Sequence, residues 1–395
     1  MTDVLRKIKQ KIEKTIQRGK SILLLGPRQT GKTTLLRTLP LDRYISLANL
    51  EMRISYEQDL SRLAKEVESL AERCNHRPII AIDEIQKIPI LTDAVQDLID
   101  RDIAQFILTG SSARKLRKSH TLNLLPGRVI PFHMDSLMIQ EIPQKKLLIE
   151  DLLLFGSLPG ILFEEEFKEE SLTAYVALFL DEEIRVEAAV RNVGLFAKFL
   201  YLAAAESGNA LNFEKISQDI GVSSPTISAY YQILEDCLLV ERIEPLSFSH
   251  TRKRLVKTAK YLLFDLGIRR VAAKMGTKLS NESMGYLFEE FVGLELLRQL
   301  RFFSPRGKLQ FWRDANGPEV DWVLENNGNY LPIEVKWTTK PNVTHAKHLH
   351  LFLQEYPSHK GYVVSRIPYR QKLSAQIEAV PWQEIPLVVE EFFSS

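Results

Sequence analysis

SILLLGPRQTGKTTLL, residues 21–36, is the stretch from which the fold can be read. Its first five residues have the length and apolar character of a buried strand, and TLLRTL, beginning at Thr34, has a helical pattern. Between them Gly26 and Gly31 stand at the spacing G-x-x-x-x-G-K-[ST]. A strand that runs into such a loop and leaves it as a helix turns its backbone N–H groups and the helix N-terminus toward one point, where phosphate is stabilised. The expected cradle is Gly26, Pro27, Arg28, Gln29, Thr30, Gly31, Lys32, Thr33 and Thr34. Lys32 would reach the β- and γ-phosphates and the Thr33 hydroxyl would hold Mg²⁺, so ATP and Mg²⁺ are the expected ligands. An incidental glycine turn would not explain both flanks.

Working outward, YISL, PIIAID, FILT and VIPF are further short apolar runs separated by helical stretches. Such alternation predicts an α/β fold, a parallel sheet with helices on both faces. PIIAIDEIQ ends its strand in Asp83 and Glu84, placing two carboxylates at a strand tip beside the glycine loop. Asp83 is expected to bind Mg²⁺ through water, and Glu84 to take the proton of the attacking water. In isolation the same pair would serve as a helix N-cap. FILT ends in Thr109-Gly110-Ser111-Ser112, where Thr109 or Ser111 is placed to orient that water.

With 395 residues, 45% of them apolar, the chain has material for three packed units. Lys and Arg total 52 against 50 Asp and Glu, so the overall charge names no polyanionic partner and any nucleic-acid surface has to be local. Cys74 and Cys237 lack companion cysteines; no disulfide framework or thiolate metal site is expected, and both read as core thiols. The charged amphipathic start, with Val4, Ile8, Ile12 and Ile16 on one stripe, does not read as a signal peptide. No window has the apolar length of a membrane span. The expected location is the cytoplasm.

Beyond about Glu150 the strand signals stop and Tyr175 to Ala205 reads as helices; Glu164, Glu165 and Glu166 suit a solvated face. From Asn212 the sequence reads helix, turn at Gly221, helix. Ile216, Ile220, Ile227, Tyr231 and Leu234 face inward and Ser223 or Ser224 forms the cap. VERIEPL and KYLLFDL would then be the strands of a wing. Its tip would carry Arg252, Lys253, Arg254, Lys257 and Lys260, a patch suited to DNA phosphates. Ser224, Thr226 and Ser228 would face DNA or simply solvent.

The last unit reads helix (Met284 to Leu300), three strands, helix (His345 to Leu353), strand. That order resembles the core of PD-(D/E)xK nucleases. Glu289, Asp321, Glu334 and Lys336 match that family's pattern. Period two puts Glu334 and Lys336 on one strand face. The resemblance implies a metal held by Asp321 and Glu334, a water activated by Lys336 and an acidic pocket completed by Glu289. The alternative is an Asp321/Lys336 ion pair on a fold that cuts nothing.

GPRQTGKTTLL, IIAIDEIQKIP, ILTGSS and LPGRV, in this order, resemble the prokaryotic AAA-type ATPases that carry a C-terminal domain of unknown function. GSLPGI, TISAYYQILEDCLLV, KYLLFDLGI, GYLFEEFVGLEL and FWRDANGPEVDWVL resemble that group's C-terminal region. The resemblance covers nearly the whole chain. It implies that Arg128, just before VIPF, is an arginine finger reaching a neighbouring subunit's γ-phosphate, the alternatives being a surface residue and a salt bridge within its own subunit. The expected organisation is an AAA-type ATPase domain (1–145), a helical lid or linker (146–205), a winged helix (206–270) and a nuclease-like domain (280–395). The expected assembly is a homo-oligomer, for which the AAA resemblance allows a hexameric ring. The leading functional expectation is Mg-dependent ATP hydrolysis coupled to binding or processing of DNA, branched DNA included because the C-terminal core resembles junction resolvases. Two rivals remain: a nucleotide-dependent switch with protein partners, and a winged-helix transcriptional regulator under ATPase control.

Overall fold

The computed structural model describes residues 4–112, 127–179, 192–246, 258–304, 306–314, 317–356 and 358–394. The described residues form two compact units, the first centred on the chain up to Leu137 and the second on the chain from Met138 onward.

In the first unit, strands β1 (Ser21–Leu25), β2 (Arg43–Ser46), β3 (Ile79–Asp83), β4 (Gln105–Gly110) and β5 (Val129–His133) build a five-stranded sheet in the order β2-β3-β4-β1-β5. Its pairings are all parallel. Period two divides each strand between two cores. Leu23, Ile80, Ile82, Phe106 and Leu108 pack on one face with Val95 and Leu98 of the helix Leu91–Asp100. Ile22, Leu24, Ala81 and Ile107 pack on the other with Ile12 and Ile16 of the first helix, Ile8–Gln17. A parallel sheet covered on both faces needs the continuous apolar runs seen here, and truncating Leu24 to alanine would cost about 2–5 kcal/mol. Cys237 is buried, as expected of a core thiol, whereas Cys74 closes the helix Arg62–Arg73 and is only half-buried.

The second unit holds an eight-stranded sheet in the order β12-β13-β11-β10-β9-β8-β6-β7. Its strands are β6 (Val240–Pro245), β7 (Lys260–Leu263), β8 (Lys308–Arg313), β9 (Glu319–Asn326), β10 (Asn329–Val335), β11 (Gly361–Ser365), β12 (Gln371–Lys372) and β13 (Ile377–Pro381). Trp312, Val320, Val323, Val363 and Ala379 pack against Leu349 and Phe352 of the helix Lys347–Glu355. The long helix Asn281–Phe303 is anchored on β9 by the Trp322 indole, which donates to the Glu289 carbonyl at 3.0 Å. It also carries two buried acids. Glu290 lies 3.1 Å from Arg269, and Glu295 accepts the Ile139 N–H at 3.2 Å, tying the middle of the chain to its C-terminal part.

The helix–turn–helix is present as Phe213–Ile220 and Ser224–Asp236. Asn212 caps the first helix, Gly221 turns the chain at φ 83°, and the Ser223 hydroxyl reaches the Thr226 hydroxyl at 2.8 Å. Ser228 is exposed while Ser224 and Thr226 are half-buried. The hairpin that follows is not a free wing. β7 pairs antiparallel with β6, and β6 pairs in parallel with β8 through Glu244↔Gln310 and Pro245↔Phe311, so both strands extend the C-terminal sheet. Arg252, Lys253, Arg254 and Lys257 lie outside the described residues.

Candidate nucleotide site and acidic pocket

β4 lies between β1 and β3, so three strand tips converge at one edge of the first sheet. The P-loop leaves β1 at Gly26, where a Cβ would stand 2.2 Å from the Met134 carbonyl; only glycine fits. Gln29 at φ 61° and Gly31 at φ 95° curl the loop into the helix Lys32–Leu36. Lys32 is buried, its ammonium donating to the Gly26 and Pro27 carbonyls at 2.7 and 2.8 Å. These are neutral acceptors, which phosphate oxygens can replace with stronger, charge-assisted bonds.

The Thr33 hydroxyl donates to Asp83 Oδ2 at 2.7 Å, so the two groups expected around Mg²⁺ stand side by side, a hard-oxygen donor pair that fits that ion. Thr109 donates to Asp83 Oδ1 and accepts the Glu84 N–H at 3.1 Å. Glu84 has φ 64°, a conformation sparsely used by residues with a side chain and found where backbone strain is held for function. Its carboxylate accepts from Ser111 at 3.3 Å and from the Gln86 amide, which also bonds Ser111 Oγ at 3.0 Å. The structure therefore brings Lys32, Thr33, Asp83, Glu84, Thr109 and Ser111 into one constellation. Thr109 is committed to Asp83 and the Glu84 backbone, leaving Ser111 the hydroxyl beside the Glu84 carboxylate.

Three contributors escaped sequence reasoning. Tyr44 donates to Asp83 Oδ2 at 2.8 Å; burial first, then this bond, pushes its phenol pKa up. Gln86 holds the Glu84 carboxylate. Arg6, almost fully buried, clamps the loop by donating to the Thr30 carbonyl at 2.6 Å and the Asp135 carbonyl at 2.8 Å. No local sequence signal marks Arg6 among the many basic residues around it, and the Tyr44 contact depends on the neighbouring register Ser46↔Asp83.

Arg128 is elsewhere. Val129 pairs with Ser21, the residue at the far end of β1 from the P-loop, so Arg128 sits at the opposite sheet edge. It forms a two-pronged ion pair with Asp100, at 2.6 and 2.8 Å. It is therefore remote from the phosphate site of its own chain, and the salt bridge within the subunit, one of the readings left open by the sequence, is formed.

In the second unit Glu289, Asp321, Glu334 and Lys336 form an electrostatically coupled group. Burial, reinforced by the charge of Asp321, pushes the half-buried Glu289 up to about 7. Burial and the charge of Glu334 push Asp321 up to about 7. Lys336 bonds Glu334 Oε1 at 2.6 Å, and Asp321 Oδ2 accepts the Val335 N–H at 2.7 Å, so the expected Asp321/Lys336 pair is replaced by a Glu334/Lys336 pair. Burial alone would lower the Lys336 ammonium, but Asp321 and Glu334 outweigh it and hold its pKa above the usual value.

Lys260 requires a correction. It is not a surface contact for DNA: it is 8% exposed, and its ammonium lies 3.1 Å from Glu289 Oε1. The reason is that β7 belongs to the sheet and carries this side chain into the acidic pocket rather than to the tip of a wing. Because of that charge the pocket as it stands does not fit a divalent metal ion.

Residues 18–143 match the family described as "AAA domain". The parallel sheet and P-loop built by these residues fit an AAA-type P-loop domain. Residues 146–279 and 284–385 match families described as "Domain of unknown function (DUF8612)" and "Domain of unknown function (DUF4143)". An uncharacterized protein of Mycobacterium tuberculosis is 25% identical over 385 residues, 95% of this chain and 83% of that one. Another, from Methanocaldococcus jannaschii, is 25% identical over 429 residues, 97% of this chain and 88% of its own length. Among solved structures, Cdc6p from Pyrobaculum aerophilum is 13% identical with a TM-score of 0.29, covering 69% of this chain and 95% of that one. PCH-2 of C. elegans is 16% identical with a TM-score of 0.26, covering 59% and 65%. At such scores neither likeness assigns a fold or an activity. Among the described residues, no helix is long and apolar enough to cross a membrane.

Proposed function

We propose that this protein is an Mg-dependent ATPase whose hydrolysis is coupled to work on DNA. The observation that carries the ATPase reading is the chain of contacts joining Thr33, Asp83, Thr109, Glu84 and Ser111 at the lip of the P-loop. In this reading Lys32 leaves its two carbonyls for the β- and γ-phosphates. Thr33 and Asp83 hold Mg²⁺, which supplies charge neutralisation. Glu84 takes the proton of a water oriented by Ser111; that oxygen bonds to the γ-phosphorus as the bridging P–O bond breaks, leaving ADP and phosphate. The chain would act as a homo-oligomer, with Arg128 serving a neighbouring copy's nucleotide once it leaves Asp100.

The DNA part of the reading rests on the helix–turn–helix and on the basic run Arg252, Lys253, Arg254 and Lys257. Turnover measured without nucleic acid, with duplex and with a four-way junction tests it. DNA should stimulate hydrolysis, branched DNA most; equal rates in all three would remove DNA from the account. A second reading, a nucleotide-dependent switch whose C-terminal part cuts nothing, is favoured by one observation: Lys260 and Lys336 already bond the pocket's carboxylates.

A further inference from the structure

We propose that Lys260 is a built-in counter-cation of the acidic pocket, holding with its ammonium the place of a divalent metal ion, so that removing this one charge creates a metal site. The inference does not depend on the nucleotide site or on any nucleic-acid partner.

Sheet register fixes the lysine. Lys260 opposes Ile243 on β6, and Pro245 two residues further along β6 opposes Phe311 on β8. The ammonium is then enclosed by the Glu289 carboxylate at 3.1 Å and by the faces of Phe311 and Trp322, with ring centroids at 5.1 and 5.0 Å. Aromatic faces carry partial negative charge and attract a desolvated cation. Glu289, Asp321 and Glu319 all act on this ammonium, and together they outweigh its burial and keep it charged. A lysine so deeply enclosed is held by the pocket's negative charge rather than by solvent.

Each of the pocket's three acids is already engaged by a group of the folded chain. Glu289 bonds Lys260, Asp321 caps the Val335 N–H, and Glu334 bonds Lys336 through Oε1. Glu334 Oε2 is buried, and among the described residues no group donates a hydrogen bond to it. Such an oxygen is costly unless a ligand completes it. Glu289, Asp321 and Glu334 outnumber the single ammonium of Lys336, so without Lys260 the pocket has to take up protons or a cation. Glu319 adds to that field. Hard carboxylate oxygens of this kind select Mg²⁺ or Mn²⁺.

The test uses the full chain without nucleotide and Mn²⁺ alone as probe, its binding followed by calorimetry and by the electron paramagnetic resonance of the free ion. Lys260→Met and Lys260→Gln should bind Mn²⁺ at least about tenfold more tightly than wild type or Lys260→Arg. Adding Asp321→Asn to Lys260→Met should abolish the gain, which separates this site from residual binding at Thr33 and Asp83. Should the neutral variants lose their cooperative melt, Mn²⁺ is expected to restore it. The proposal is overturned if wild type already binds Mn²⁺ in an Asp321-dependent manner as tightly as Lys260→Met. It is equally overturned if folded neutral variants gain no affinity, or if Mn²⁺ fails to rescue unfolded ones.

Discussion

The P-loop and the acidic pocket both bring lysine and carboxylate side chains together on a sheet, yet they solve opposite problems. Lys32 rests on the Gly26 and Pro27 carbonyls, and Asp83 receives hydroxyls from Thr33, Tyr44 and Thr109. These hydrogen-bond partners are neutral carbonyls and hydroxyls, which charged ligand groups can replace. In the acidic pocket lysine bonds carboxylate directly, Lys260 to Glu289 and Lys336 to Glu334, and burial raises the acids' affinity for protons. One site is charged for a ligand, the other compensated from within. Residues of similar type thus forecast different chemistry according to what holds them at rest.

The largest effect expected from breaking this contrast is at Lys32. Lys32→Ala should weaken ATP binding at least about 100-fold, since a charged donor to phosphate is lost in a buried setting; titration with a fluorescent nucleotide reads this. Loss of the corresponding charge at Lys260 should leave nucleotide affinity at the wild-type value, because Lys260 belongs to the other site.

Next in size is the pH dependence of the second unit. Asp321 and Glu289 are pushed up to about 7 when folded, against 3.8 and 4.5 for the free side chains. The folded state therefore binds more protons between those values, so this contribution to stability is full below about pH 4 and is lost as pH rises through about 7. Chemical denaturation from pH 5 to 8 should show a decline on the order of 1–3 kcal/mol. Asp321→Asn should flatten that decline; an unchanged slope would show that the buried acids are not its source.

A smaller effect concerns the basic run outside the described residues. Neutralising Arg252, Lys253 and Arg254 together should reduce the salt slope of DNA binding by about 2–3, uniformly across sequences. An unchanged slope would move weight to the switch reading. The smallest expected change is in stability at Arg128: its ion pair is solvent-facing, so Arg128→Ala should melt close to wild type. Its turnover should nevertheless fall and recover partly on mixing with Lys32→Ala chains. Mixtures that assemble but recover nothing would leave Arg128 with its salt bridge alone.

How much of this was legible in the sequence follows from which interactions are local. SILLL, PIIAID and FILT each gave a strand, because a sheet buried on both faces demands unbroken apolar runs. The P-loop was readable because strand, glycines and helix are contiguous. Glu289, Asp321, Glu334 and Lys336 were readable through a resemblance in element order, but their partners were not. Lys260 looked like a wing residue because its local neighbours are basic, and only the pairing of β6 with β8, residues apart by some sixty positions in sequence, carries it into the pocket. β13 and the closing helix Ile385–Ser394 also went unread. Tyr44 and Arg6 act through contacts whose partners lie 39 and 129 positions away, and no periodicity reports such contacts.

The central claim is that the first unit hydrolyses ATP with Glu84 as the base, and one paired measurement tests it most directly: nucleotide affinity and steady-state turnover of wild type and Glu84→Gln in Mg²⁺. The amide keeps the shape of the carboxylate and its place beside Gln86 and Ser111 but cannot take a proton. The account predicts ATP affinity within a few-fold of wild type and turnover lower by about 10²–10⁴. Turnover in Glu84→Gln equal to that of wild type would contradict it.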